Sequence, residues 1–270
     1  MKRITSLIIL TMYCLTAFAQ VSTVQEKSKE DWKKLTFEVD LNKTNYVQLE
    51  PIYGKFKLSN QTEGLLYTEI PDFLQDTMLR VNFKGKIKEV GRLASYIGRA
   101  EKLPGHNIPA FQPEGIYEKD LSIEINATEI FPESGNYQIQ FFLYGAKGIA
   151  SNIIEITIEE PSSINKEAFD YLSKYENAMS FYWVWKEKDG ISLLETFVNK
   201  YGESAYGESA ISYLGNVYSA KGEIDKAKAE FEKIKSSENA IIAKEANKSL
   251  ADIAKRKADL QGIQNQKEKP

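Results

Sequence analysis

The stretch Gly135-Asn136-Tyr137-Gln138-Ile139-Gln140-Phe141-Phe142-Leu143 decides how the first half of this chain is read. Tyr137, Ile139, Phe141 and Leu143 form a stripe on one side of an extended backbone, with Gln138 and Gln140 between them. A two-residue period marks a strand with one face in a core and one in water. Five further segments repeat the pattern. Leu35, Phe37, Val39 and Leu41 alternate with Thr36, Glu38 and Asp40; Ile52, Gly54, Phe56 and Leu58 alternate with Tyr53, Lys55 and Lys57. Leu79, Val81 and Phe83 make another stripe, as do Leu121, Ile123 and Ile125, and Ile154, Ile156 and Ile158. Strands with one wet face belong to antiparallel sheets packed face to face. The pattern predicts an all-β sandwich over residues 35–160.

Short motifs surround these strands. Glu50-Pro51-Ile52-Tyr53 runs into Lys57-Leu58-Ser59-Asn60, and Phe111-Gln112-Pro113-Glu114-Gly115 precedes the Leu121 strand. Gly135-Asn136-Tyr137 opens one strand, and Ser151-Asn152-Ile153-Ile154 opens the last. Together these resemble the opening, closing and final-strand motifs of bacterial Ig-like domains over about residues 45–160. The similarity extends to sandwiches of the bacterial proteinase-inhibitor type. The placing of Tyr137 suits a tyrosine corner, whose hydroxyl ties a crossing loop to the sheet. Ile139 stands where antibody domains carry a cysteine, which implies sheets held by packing. A sandwich hosts many roles, so the resemblance speaks for fold and not for function. Gly91 to Gly115 departs from strand spacing and carries Arg92, Tyr96, Arg99, Lys102 and His106 around Pro104-Gly105. Such a loop is either a surface excursion or a binding element.

After Pro161 the period changes to three and four. Ala168, Leu172, Tyr175, Met179, Tyr182 and Trp183 form one stripe, broken at Asp189-Gly190. Leu193, Leu194, Phe197, Val198 and Tyr201 form a second; Ala210, Ile211, Leu214, Val217 and Tyr218 a third. Ile224, Ala227, Phe231 and Ile234 form a fourth, and Ile242, Ala246, Leu250, Ile253 and Ala254 a fifth. The pattern predicts an all-α region over residues 162–260, with a disordered tail over 261–270. Leu214-Gly215, Tyr218, Gly222, Ala227 and Phe231 fall at the spacing of the tetratricopeptide repeat, which this region resembles over about residues 193–256. The resemblance implies helical hairpins in which Gly215 and Ala227 allow close approach. It also implies a peptide-holding face on the first helix of the matched repeat, with Ser212, Asn216 and Ser219. In peptide-clamping members an Asn at the place of Asn216 holds peptide backbone. Ser212 stands where those members carry a basic residue, which argues against carboxylate clamping. The segment Tyr-Gly-Glu-Ser-Ala occurs at 201–205 and again at 206–210, and reads as chance. Phe181-Tyr182-Trp183-Val184-Trp185 cannot place five bulky side chains on one helix face. Trp183 and Trp185 therefore meet either the sandwich or a binding partner.

Residues 1–19 have the form of a cleavable signal peptide. Lys2 and Arg3 precede an apolar run from Ile4 to Leu15, and Ala17-Phe18-Ala19 is a small-x-small cleavage site. The run is shorter than the roughly 20 residues of a spanning helix. Residues 20–34 follow as a polar leader. Export to the periplasm, cell surface or medium is expected, with no membrane span in the mature chain. Cleavage removes Cys14, the only cysteine, so no disulfide is available. The chain has 35 basic and 38 acidic residues, net −3, and losing Lys2 and Arg3 makes it −5. Residues 161–270 hold 17 of each sign, so the net acidity lies in residues 20–160. Neither half is a basic nucleic-acid surface. His106 is the only histidine, which excludes histidine-paired metal sites and leaves no nucleophile elbow for a triad. No phosphate-binding loop occurs. Glu69, Asp72 and Asp76 cluster near Pro71 as a polar loop without a calcium-loop motif. The expectation is a non-enzymatic, cofactor-free envelope protein that binds a protein or peptide partner through its helical surface. Its alternatives are a proteinase-inhibitor-like sandwich, an accessory subunit of an envelope enzyme, and a hydrolase using two unrecognised carboxylates.

Overall fold

The computed structural model describes residues 32–67, 77–92, 110–123, 130–143, 148–174 and 189–267. Residues 1–19, expected to be a signal peptide, most of the expected leader and of the loop 91–115, the acidic cluster at 69–76, Ile125 and the aromatic run at 181–185 lie outside the described residues.

A 3-10 turn at Trp32–Lys34 leads into the strands β1 (Leu35–Leu41), β2 (Asn45–Val47), β3 (Ile52–Asn60), β4 (Leu66–Tyr67), β5 (Thr77–Phe83) and β6 (Lys86–Arg92). Then come β7 (Ala110–Phe111), β8 (Ile116–Ile123), β9 (Gly135–Leu143), β10 (Ile149–Ala150) and β11 (Ile154–Glu159). One sheet has the order β1-β3-β8 and the other β2-β11-β9-β5-β6, with β10 also on β9; β4 and β7 pair separately. Most pairings are antiparallel, but β2 joins β11 in parallel.

The six strands expected from alternation are present. Those not foreseen have physical reasons to escape a periodicity reading. β2 spans three residues, too few to show a period. β6 carries Ile87, 66% exposed, where alternation needs a polar residue. Its partner register is set by Lys84-Gly85, both at positive φ, the two-residue hairpin turn that matches strand twist.

The two larger sheets bury a common core between them. Phe56 from one meets Phe141 from the other edge to face, ring centroids 5.5 Å apart, and Phe37 packs beside Phe56. Polar side chains reinforce the packing where strand pairing stops. The Asn152 amide accepts from Val39 N–H at 2.8 Å and donates to Val39 C=O at 3.1 Å. Asn60, fully buried, donates to the carbonyls of Gly64 and Gln112 and accepts from the N–H and hydroxyl of Thr62. Tyr137 donates its hydroxyl to Glu133 C=O at 2.6 Å, the loop tie expected of it. Each of these residues satisfies backbone groups that would otherwise be buried unpaired.

Among the described residues five helices follow: α1 (Ser163–Leu172), α2 (Gly190–Tyr201), α3 (Gly207–Lys221), α4 (Ile224–Ile234) and α5 (Ala240–Lys267). α5 continues past the boundary at residue 260 expected from the sequence. Consecutive helices pack as pairs around one core that includes Leu194, Phe197, Tyr206, Leu214, Ala227, Phe231 and Ala246. Gly215 touches the Phe231 ring: a β-carbon there would stand 2.8 Å from it. α3 stops at Gly222, whose φ of +79° lets its N–H turn back to Ser219 and Tyr218 carbonyls. The tandem Tyr-Gly-Glu-Ser-Ala also has a physical role, contrary to its reading as chance. Gly202 and Gly207 meet within the α2–α3 turn, where a β-carbon on Gly207 would lie 1.9 Å from the Gly202 carbonyl oxygen.

Gly215→Ala should lower stability by about 1–2 kcal/mol, because overpacking outweighs the gain in helix propensity. Gly207→Ala should cost more, since its obstacle is backbone. Gly64→Ala, whose β-carbon would meet only the Thr62 hydroxyl at 4.0 Å, should be near neutral. Thermal melts of the three variants check this order.

Candidate functional site

Ser212, Asn216 and Ser219 lie on α3 at steps of four and three, which puts them on one helix face. Ser212 is buried, Asn216 exposed and Ser219 half-buried. The face therefore offers one fully accessible carboxamide and the edge of one hydroxyl. Trp183 and Trp185, the other candidates, lie outside the described residues. On another side of α3 Tyr218 donates its hydroxyl to Glu195 of α2, and Lys226 of α4 lies 5.0 Å from the Tyr218 ring centre while paired with Glu223 at 2.6 Å. Burial and the neighbouring Glu195 push the Tyr218 hydroxyl upward, so it stays protonated and donates. The arrangement can hold a polar extended segment by hydrogen bonds. Among the described residues no group of three or more His, Cys, Asp or Glu could hold a metal ion. No described helix is long and apolar enough to cross a membrane.

What positions α3 is its contact with the sandwich. Tyr53 belongs to β3 and points away from the sandwich core, yet it is buried in the helical core together with parts of Val47 and Leu49. Its hydroxyl pairs with Ser209 Oγ at 2.6 Å. Tyr206, fully buried before α3, donates to Gln48 C=O at 2.6 Å. Asn42 donates to Asn239 Oδ1 at 2.7 Å, and Lys244 of α5 pairs with Asp120 of β8 at 2.5 Å. The turn from Val47 to Glu50 supplies three of these contacts, through Val47, Gln48 and Leu49. Leu49 takes φ +69°, and Glu50 caps the turn by accepting from Val47 N–H at 2.9 Å. The Glu50 side chain is only 9% exposed and pairs with Lys43 at 2.5 Å. Burial raises its carboxyl above the usual range; Lys43 and the Val47 N–H oppose that rise, and Glu159 adds to it.

Periodicity missed Tyr53, Tyr206, Ser209 and Glu50. One signal was available: Tyr53 is an aromatic residue alternating with Lys55 and Lys57 on a face otherwise wet.

No protein-family model matches the chain, and no curated protein matches it. Solved structures match at low similarity. A β-glucosidase from Listeria innocua in complex with isofagomine is 9% identical, with a TM-score of 0.25, over 46% of this chain and 16% of that one. The sporulation control protein Spo0M from Bacillus subtilis is 8% identical, with a TM-score of 0.27, over 52% of this chain and 55% of that one. A GH3 β-glucosidase from Bifidobacterium adolescentis is 12% identical, with a TM-score of 0.25, over 50% and 20%. The matched part thus spans a fifth or less of each glucosidase and about half of Spo0M. These likenesses assign no family and carry no functional argument.

Tyr206→Phe and Tyr53→Phe should each lose about 1–2 kcal/mol, because one leaves the half-buried Gln48 carbonyl and the other the buried Ser209 hydroxyl without its partner. Thermal unfolding reports the loss, and protease cleavage between the sheet and helix regions should quicken. For Glu50 the sign follows from its raised value: the folded chain holds the proton more tightly than the unfolded chain does. Stability from this group is full below the ordinary value of 4.5 and is lost as pH rises through the raised value. The melting difference between the natural chain and Glu50→Gln should therefore shift in the variant's favour from pH 4.5 to pH 7.

Proposed function

We propose that the chain is an exported, non-enzymatic protein-binding or scaffold protein of the bacterial envelope, which captures a protein or peptide on its helical hairpins. The observation that carries this reading is the exposed Asn216 amide on α3, a helix clamped between α2 and α4. In this reading the helices are hairpins of the tetratricopeptide type. The contact of Gly215 with Phe231 and the full burial of Ala227 support that assignment. The sheets are an Ig-like sandwich, supported by the Tyr137 loop tie and by two sheets sharing one core. Asn216 would pair with partner backbone through both ends of its amide, as extended segments require. The residue is solvent-exposed, so replacing it should not disturb the fold.

Crosslinking the mature chain in intact envelopes and identifying the captured protein tests the reading. Asn216→Ala should weaken capture of that protein roughly fivefold, the worth of about one net hydrogen bond. Its melting temperature should match the natural chain. Unchanged capture would remove Asn216 from the binding face.

A further inference from the structure

The outer face of the five-strand path β2-β11-β9-β5-β6 holds a groove of about 710 Å³, lined among others by Asn45, Asn82, Asn136, Gln138, Glu155 and Thr157. Tyr53 belongs to the other sheet, β1-β3-β8. The volume of the groove falls in the range of ligand pockets, roughly 300–1,000 Å³.

Strand register places the lining in two rows. Asn45, Thr157 and Asn136 are neighbours across β2, β11 and β9. Glu155, Gln138 and Asn82 are neighbours across β11, β9 and β5. In the first row Thr157 donates to Asn136 Oδ1 at 3.0 Å. In the second Gln138 donates to Glu155 at 3.2 Å and Asn82 donates to Gln138 Oε1 at 3.3 Å. A carboxylate only accepts, so Glu155 orients Gln138, and Gln138 orients Asn82. The chain of bonds leaves Asn82 Oδ1 buried with no partner among the described residues.

The charged groups of the groove are already engaged. Lys84, in the turn at one end, pairs with Glu133 at 3.0 Å, and Glu155 accepts from Gln138. What remains for a ligand is the second N–H and the further lone pairs of carboxamides and a hydroxyl that already bond to one another. An anion would need unpaired cations, and a divalent cation would need clustered carboxylates. An apolar ligand would need an apolar lining. A peptide strand would add to a sheet edge, through main-chain bonds, and not across a sheet face. Vicinal hydroxyls match the lining, because each gives one hydrogen bond and accepts others.

We propose that this groove is a binding site for a neutral polysaccharide, held by Asn136, Gln138, Asn45 and Thr157. The site is independent of the helical face and of the protein-capture reading.

Native gel electrophoresis of the full mature chain tests it. The gels contain xyloglucan, hydroxyethylcellulose, galactomannan, soluble starch or, as the acidic control, polygalacturonate. At least one neutral polysaccharide should retard the chain. Asn136→Val and Gln138→Val keep strand propensity on an exposed face. Each should weaken retardation at least tenfold in apparent affinity while circular dichroism stays unchanged. Asn216→Ala should be retarded like the natural chain. The proposal is overturned if no neutral polysaccharide retards the chain, or if both variants are retarded as strongly as the natural chain. Retardation by polygalacturonate alone, abolished by salt, would also overturn it and make the surface a charge contact.

Discussion

The arrangement of this molecule depends on a pair of tyrosine hydroxyls at the turn between β2 and β3. Tyr206 reaches from the helices to the Gln48 carbonyl, and Tyr53 reaches from the sheet to Ser209. Both rings are buried, so both hydroxyls must find partners or carry a desolvation penalty. The turn is made rigid from the sandwich side. Gln48 N–H donates to Glu159 C=O, Glu50 N–H donates to Val47 C=O, and the Glu50 carboxylate caps Val47. A non-glycine residue at positive φ, Leu49, is tolerated because its side chain packs against the helical core. The helices are thus oriented by a turn that the sheets hold still. The face carrying Asn216 is set by the sandwich as much as by its own helix.

Much of this architecture can be read without coordinates, and the reason is physical. Where one side of an element is buried, alternation records it: Phe37, Phe56, Leu79, Leu121 and Ile139 are all buried. The motif residues Asn60, Tyr137 and Asn152 are legible because each performs a fixed backbone task. The Gly215 contact with Phe231 is legible for the same reason, since only a missing side chain permits it. Contacts between elements far apart in the chain leave no period. Tyr53 looks like a surface residue of β3 until the helices cover it, and Tyr206 looks like part of a repeated five-residue word. The polar groove is equally silent in sequence. Asn82, Asn136 and Gln138 each read as ordinary wet-face residues, and only the strand order β11-β9-β5 brings them into register.

The polar groove and the helical face belong to different surfaces of one body. The first is a sheet face rich in carboxamides; the second is a helix face presented by packed helix pairs. The Val47–Glu50 turn joins the regions that bear them, so neither surface is carried on a free tether.

The Asn152 clip also sets a timetable. Val39 and Asn152 are 113 positions apart, and the bond between Gln48 and Tyr206 spans 158. The first strand pairs with β3 soon after both emerge, but its outer backbone groups wait for almost the whole sheet region. The β2–β3 turn waits longer still, until α3 exists. Contacts this distant close late and slow folding, because the entropy of a long loop is lost before any contact repays it. The first strand of the sheets is therefore among the last to be finished. An interval follows in which the edge of β1 stays open to anything that binds a strand.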